Sequence, residues 1–361
     1  MGEHCQYNGG PVLAIATPER AHVALGWAED GVIESVSRQG APPERLSRDS
    51  APSNDVLACL QSLRQELMAL GAVSLHEGTR GLRVATAAEL SPRRARECPP
   101  ALAVALARAL AALADARLSP RQLRTAAFRA SQGRARSASS VADHTVAAFA
   151  RPNHVLLVES ASADVRQVPL NRAFLRIRLG GASNARAALL EERHRECAAA
   201  LTRLKVELPE LLWLASWPSG WLARLKRSLP EPLRSRALHV VGETARARFG
   251  AELLEQGRVA RFGGLLDESH ESSRRLYDWS APRLDLVVAA ARRASAAGAR
   301  LTGLGAADTA FVMLGRGDRG EGKGAALVRT AIRRALGRGK NRNVVVEALR
   351  PEGGVRMERV R

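Results

Sequence analysis

The sequence predicts an α+β fold with a lobe boundary near Pro169-Leu170, dividing residues 1–170 from 171–361. Three observations lead there. Short apolar or alternating runs dominate up to Gly180-Gly181, long amphipathic helical patterns dominate after it, and 46% of the 361 residues are apolar. That apolar share is enough for a sizeable core and excludes wholesale disorder. Length alone fits one large domain or two of roughly 150 residues each.

Val12 to Ala16 and Ala21 to Trp27, with Pro18 between them, read as a strand pair. Gly31 to Pro52 is rich in Pro, Ser, Gly and Arg and reads as loop. Asn54 opens a helix through Leu57, Leu60, Leu63, Leu67 and Leu70 that ends at Gly71. A strand at Leu82 to Thr86 precedes Pro99-Pro100 and an apolar helix from Ala101 to Ala116. Ser119-Pro120 starts another helix, and Ser131 to Ser140 reads as loop. His154 to Val158, Val165 to Val168 and Ala173 to Leu179 read as strands. Helices follow over Ala185 to Lys205, Leu233 to Leu254, Arg258 to Tyr277 and Arg283 to Ala297. Strands at Ala299 to Gly303 and Thr309 to Leu314 flank a glycine-bearing turn. A helix from Ala325 to Leu336 and two terminal strands, split at Pro351-Glu352-Gly353-Gly354, close the chain. No repeat has a period of 20–50 residues.

The chain carries 55 Lys+Arg against 36 Asp+Glu, a formal net charge of +19. All the basic residues except Lys205, Lys226, Lys323 and Lys340 are arginines, which, beside so much alanine, fits the codon bias of a GC-rich genome. Aromatic residues are 4% and the arginines spread through most helices, unlike the one-faced charge of a nucleic-acid binder. Gly315 to Arg361 holds 13 basic against 5 acidic residues, but on a helix and a strand. Non-specific polyanion binding at low salt is the expectation that charge alone supports. The most apolar run is interrupted by Arg108 and falls short of the roughly 20 residues a bilayer needs. No basic and apolar leader opens the chain, and Cys5, Cys59, Cys98 and Cys197 form no CxxC unit. These features predict a cytoplasmic protein without membrane partners, disulfide framework or zinc site.

The opening Gly2-Glu3-His4-Cys5-Gln6-Tyr7-Asn8-Gly9-Gly10 resembles the G-E-H-x-D-Y-x-x-G signature of galactokinases, in the GHMP small-molecule kinase superfamily. Further runs follow in the family's order. Val141-Ala142-Asp143-His144 resembles I-M-D-Q, and Val155 to Leu170 the strand pair after it. Glu191 to Cys197 is similar to an R-R-x-x-C helix, and His239-Val240-Val241-Gly242-Glu243-Thr244-Ala245-Arg246 to H-V-V-x-E-N-x-R. Glu268 to Pro282 resembles S-H-x-S-L-x-x-x-Y-x-V-S-x-P, Gly298 to Gly303 resembles G-A-R-M-T-G, and Pro351 to Val355 the family's P-x-x-G-A. The resemblance spans nearly the whole chain. It implies a two-lobed GHMP-kinase-like α+β fold, with a ferredoxin-like C-terminal lobe and an active site between lobes. Met1 stands directly on the motif, so the N-terminal lobe is expected to lack the family's first strand and an arginine that assists phosphoryl transfer. Either the start codon lies upstream or the gene is truncated.

The family reaction is ATP-dependent phosphorylation of galactose or a related sugar at O1, with magnesium. It needs a positioned hydroxyl, a base, cradled phosphates and a metal. By resemblance Glu3, His4 and Gln6 bind the sugar, with Gln6 standing where the family has Asp. Asp143 corresponds to the catalytic base or orienting carboxylate; a helix cap is the alternative use of such a residue. Leu190 stands at the family's sugar-contacting Tyr. The phosphate loop P-x-x-x-G-L-S-S-S-A corresponds to Leu90 to Leu102, and no glycine occurs between Gly81 and Gly133. Pro99 and Pro100 remove two anion-facing N–H groups from the helix start, and the magnesium carboxylate aligns with Ala103. For ATP this leaves Arg93 and Arg94, with Arg96, as point charges or merely as solvated surface. It also leaves Gly303 and Gly305 of a reduced glycine turn, with Asp308 adding repulsion. No metal ligand is identified. The expectation is a galactokinase-like protein with impaired catalysis, or alternatively a pseudokinase that binds sugar or regulates without turnover.

Overall fold

The computed structural model describes the chain apart from residues 29–30, 39–42, 48–49, 53, 75–79, 90–97, 133–139, 181–184, 295, 304–307, 338–343 and 359–361. In chain order the first elements are β1 (Pro11–Ala14), β2 (Ala21–Ala28), β3 (Ile33–Ser37), β4 (Glu44–Leu46), α1 (Asp55–Ala69) and β5 (Gly81–Ala88). Helices α2 (Pro100–Leu113), α3 (Pro120–Gln132) and α4 (Val141–Phe149) precede β6 (His154–Glu159), β7 (Val165–Pro169) and β8 (Phe174–Arg178). Five helices follow: α5 (Ala185–Leu204), α6 (Leu222–Ser228), α7 (Leu233–Glu255), α8 (Val259–Arg275) and α9 (Pro282–Arg293). The last elements are β9 (Gly298–Thr302), β10 (Thr309–Met313), α10 (Lys323–Leu336) and β11 (Val345–Leu349). The fold is α+β, and no helix among the described residues is long and apolar enough to cross a membrane.

The chain divides into two units, Met1–Thr17 with Arg151–Glu352, and Pro18–Ala150 with Gly353–Arg361. Pro169 and Leu170, where the sequence suggests a boundary, lie inside the first.

In the unit containing Pro18–Ala150, one sheet has the order β2-β5-β3-β4, parallel between β3 and β5 and antiparallel elsewhere. The leucines of α1 at 57, 60, 63 and 67 recur at helical spacing and are all buried against Leu106 and Leu110 of α2 and Ala127 of α3. Asn54 starts α1 by accepting the Leu57 N–H at 3.0 Å, a cap worth about 1 kcal/mol. Pro100 opens α2 where its missing N–H costs nothing.

The other unit has two antiparallel sheets, β1-β6-β7 and β11-β8-β10-β9. Numbered within the second sheet, its strands run 4-1-3-2, the order of a ferredoxin-like split β-α-β. Leu175 and Ile177 of β8, Leu301 of β9 and Val312 of β10 meet Val240 of α7, Val287 of α9 and Ile332 of α10 in one core. Asp318 starts α10 from a distance, accepting the N–H groups of Gly320 at 2.8 Å and Ala325 at 2.8 Å.

Three readings of the sequence are corrected. The runs around Val12 and Val23 are strands, but β1 pairs with β6 and β2 with β5, so they form no hairpin. Gly31 to Pro52 holds β3 and β4, short polar strands whose pattern resembles loop; β4, with Glu44 and Arg45, is a charged sheet edge. Among the described residues only one terminal strand forms: beyond Pro351 the pairing is a single Glu352–Ala16 bridge. The cysteines, distant in sequence, are all buried as free thiols, and the Cys59 and Cys98 side chains lie within hydrogen-bonding reach.

Helix α8 meets the start of β9 backbone to backbone. A Cβ on Gly263 would lie 1.8 Å from the Ala297 carbonyl oxygen, whereas one on Gly264 would meet nothing within 4 Å. Gly263→Ala should therefore destabilise by about 1–3 kcal/mol or more. Its neighbour Gly264→Ala should stabilise by up to about 1 kcal/mol through helix propensity. Urea denaturation of the two variants measures this contrast.

Candidate functional site

The segment ahead of β1 forms a tight loop. The Asn8 amide donates to the His4 carbonyl at 2.7 Å, and the Gly10 N–H to the Cys5 carbonyl at 2.9 Å. His4 holds a left-handed φ of 65°, a conformation costly for a non-glycine residue and met most often where surrounding contacts impose it. Gly9, at φ 76°, lies directly under the Trp213 ring; a Cβ there would come within 2.2 Å of it.

Three elements supply the charged and hydroxyl groups around Gly2 and Glu3. On α7, His239, Glu243 and Arg246 share one face by their spacing of four and three. On α8, Ser269 and Ser272 do the same. On β9, Arg300 and Thr302 alternate onto one side. Arg300 Nη1 meets Glu3 Oε2 at 2.5 Å and Glu243 Oε1 at 3.8 Å, and the Thr302 hydroxyl donates to Glu3 Oε1 at 3.0 Å. Glu243 also accepts the Gly2 N–H at 3.0 Å, Arg246 Nε at 2.8 Å and the Ser269 hydroxyl. Burial is the largest influence on both carboxylates and works against them, but Arg300 and the N-terminal ammonium together, joined at Glu243 by Arg246 and His239, outweigh it; both acids stay below the usual carboxyl range.

His4 is wholly buried. Its ring stacks on Tyr277 at 4.2 Å between centroids and meets Trp279 edge-on at 4.7 Å. Its Nδ1 is 2.9 Å from the Tyr7 hydroxyl, which is 2.6 Å from that of Tyr277; the latter is 3.2 Å from Cys197 Sγ. Burial, followed by the neighbouring His239 and His194, holds the His4 pKa well below the ordinary histidine value, so the ring is neutral. Beneath Tyr277, Arg193 donates to its carbonyl at 2.9 Å and to Asp278 Oδ2 at 3.0 Å, while Arg236 donates to the Leu276 carbonyl at 2.7 Å.

Glu3, His4 and Gln6 thus lie together in one unit, and Gly303 in the same unit accepts from Trp279 Nε1 at 3.5 Å. Leu190 packs against the core there. Asp143 belongs to the other unit and is exposed. Its Oδ2 accepts the Ser140 N–H at 2.8 Å and hydroxyl at 3.0 Å, the capping box of α4. Ala103, about where the resemblance puts the magnesium carboxylate, is fully buried in α2, and its methyl side chain offers magnesium no oxygen. Arg93, Arg94, Arg96 and Gly305 lie outside the described residues. Arg300, Thr302, Ser269, Tyr7 and Tyr277 had no assigned role in the sequence. Each stands in a run quoted above, but nothing local says that those runs converge on Glu3 and His4.

Two outcomes follow from this geometry. Arg300→Met would leave Glu3 and Glu243 buried without their shared counter-charge, and should cost about 3–5 kcal/mol in chemical denaturation. Burial also lowers His239 and His270 to about 4 from 6.5. Between those values the unfolded chain binds protons that the folded chain does not, so stability falls as pH drops through that window. Each histidine contributes a slope of up to about 1.4 kcal/mol per pH unit. The depressed Glu3 and Glu243 add stability present above about pH 4.5 and lost on further acidification. Urea midpoints from pH 7 to 4 should show the histidine part, and His239→Gln should flatten it by about one proton.

No family model matches the chain. The galactokinase of Roseiflexus sp. (strain RS-1) is 30% identical over 308 residues, covering 84% of this chain and 78% of that protein. That of Streptomyces coelicolor is 29% identical over 332 residues, 87% of this chain and 81% of its own. Among solved structures, Lactococcus lactis galactokinase complexed with galactose superposes with a TM-score of 0.83 at 17% identity, covering 98% of this chain and 91% of that one. Mevalonate kinase of L. major, in complex with R-mevalonate, gives 0.60 at 19% identity, covering 97% and 93%. The fold is that of the GHMP kinases, and the extent and level of identity with the curated relatives make this chain a member of the galactokinase family.

Proposed function

We propose that this chain is a cytoplasmic galactokinase-like protein that binds galactose or a related sugar and phosphorylates it at O1 with ATP and magnesium poorly or not at all. The observation that carries the sugar reading is the buried loop in which Glu3 and His4 are held by Arg300, Thr302 and Tyr7. A carboxylate and a neutral imidazole suit sugar hydroxyls, which both donate and accept. In this reading Glu3, His4 and Gln6 hold the sugar and Asp143 orients O1. Gln6 and Leu190 weaken binding, because a charged acceptor and a hydroxyl donor are replaced.

Impaired transfer is supported on the nucleotide side. Phosphoryl transfer relies on positioning and electrostatic stabilisation. At the metal carboxylate stands the buried Ala103, and Pro99 and Pro100 take two N–H groups from the start of α2. The loss of one such stabilising group typically costs about 10²–10³ in rate. Arg93 and Arg94 supply positive charge but no metal ligand. The same features favour a second reading, a pseudokinase that binds sugar or regulates without turnover. The net charge of +19 further supports weak, salt-sensitive polyanion binding.

Calorimetric titration with galactose, paired with coupled ADP release in galactose and MgATP, tests these readings. Expected are galactose affinity about one to three decades below that of a galactokinase with intact motifs, and turnover near background. Turnover in the ordinary kinase range of about 1–100 s⁻¹ would overturn the impairment. Sugar binding without any ADP release would select the pseudokinase.

A further inference from the structure

Three buried polar atoms lack a hydrogen-bond partner among the described residues in this part of the unit: His4 Nε2 and His194 Nε2, both on side chains that meet Tyr7, and Gln6 Oε1, one residue before Tyr7 in the chain. His4 is bound to the Tyr7 hydroxyl, Gln6 precedes Tyr7 in the same turn, and the His194 ring lies 3.9 Å from the Tyr7 ring between centroids. Leaving such groups shielded from water and unpaired is unfavourable, and the hydroxyls of a polar ligand are the kind of partner they lack. His4 Nδ1 is engaged by Tyr7, so its Nε2 is a donor or an acceptor according to tautomer, and in either state it is unpaired among the described residues.

Sequence reasoning assigned Glu3, His4 and Gln6 to the sugar but gave His194 no role. His194 sits on α5 four residues after Leu190, on the same helix face one turn along. Leu190 turns its side chain into the core, whereas His194 meets Tyr7. We propose that His194 is a sugar-contacting, specificity-determining residue of this chain, its Nε2 hydrogen-bonded to a hydroxyl of the bound hexose beside His4 and Gln6. This rests on the sugar-binding reading above. Burial lowers the His194 pKa, which keeps the ring neutral at pH 7 and able to serve a hydroxyl as donor or acceptor.

The test is galactose titration of the unaltered protein, His194→Phe and His194→Gln, with thermal melting of each. Phenylalanine keeps a ring against Tyr7 but has no nitrogen, and glutamine restores a polar group. His194→Phe should weaken galactose about 5- to 30-fold, and His194→Gln should stay within about 3-fold of the unaltered protein. In a series of monodeoxygalactoses, the penalty for one missing hydroxyl should vanish in His194→Phe and persist in the unaltered protein. A measurement on the unaltered chain guards against a variant that fails to fold: galactose should shift the imidazole ¹⁵N resonance of His194 Nε2. Equal affinity in His194→Phe, or an unmoved resonance at saturation, overturns the inference while leaving the sugar-binding reading intact. If the unaltered protein binds no sugar, both fall.

Discussion

The fold around the site depends on burying two carboxylates with a shared guanidinium. Glu3 comes from the loop before β1, Glu243 from α7 and Arg300 from β9, and Arg300 reaches both acids. Each charge alone would cost several kcal/mol to bury; together, with Arg246, Ser269, Thr302 and the Gly2 N–H as further partners, they offset one another. The path of the loop is thereby tied to a helix and a strand that are more than two hundred residues away in sequence. No apolar contact could fix it with the same directional strictness.

The aromatic stack adjoins that electrostatic frame. Burial first, then His239 and His194, and after them Arg300 act against protonation of His4, and a neutral ring is what stacks on Tyr277. Tyr277 in turn depends on Arg193 and Arg236, which hold the carbonyls of residues 276 and 277 and the side chain of Asp278, at φ 53°. Two nearly buried arginines, Arg193 of α5 and Arg236 of α7, therefore help set the plane on which His4 rests.

How much of this the sequence disclosed follows the range of each interaction. The start of α1 at Asn54 and that of α3 at Ser119-Pro120 are local and legible, because cap and helix are neighbours in the chain; helix α4 after Ser140 was not read. The partner of β1 was not, since nothing near Val12 distinguishes pairing with β6 from pairing with β2. Strands β3 and β4 escaped because their short polar runs show too little alternation. At the site, Glu3 and His4 were legible through a motif. Arg300 and Thr302 were not: the period of β9 tells that they share a side, never that Glu3 faces it. The use of the Asp143 carboxylate as a cap was one of two readings already open from its position near a helix start.

The energetics of the cluster bear on why it exists. Buried ion pairs and triads are commonly no better for stability than well-packed apolar residues of the same volume, and often worse. A chain selected for stability alone would gain by filling the space of Glu3, Glu243 and Arg300 with aliphatic side chains, as it does around Val240 and Leu301 beside them. Around the same loop it also leaves His4 Nε2, Gln6 Oε1 and two Arg300 nitrogens without hydrogen-bond partners among the described residues, at roughly 1–3 kcal/mol for each buried group so left. Stability supplies no reason for that concentration of charged and unpaired polarity in one place. Recognition of a polar ligand does, because the same groups then discriminate a hydroxylated molecule from an apolar one by the penalty of leaving them unpaired.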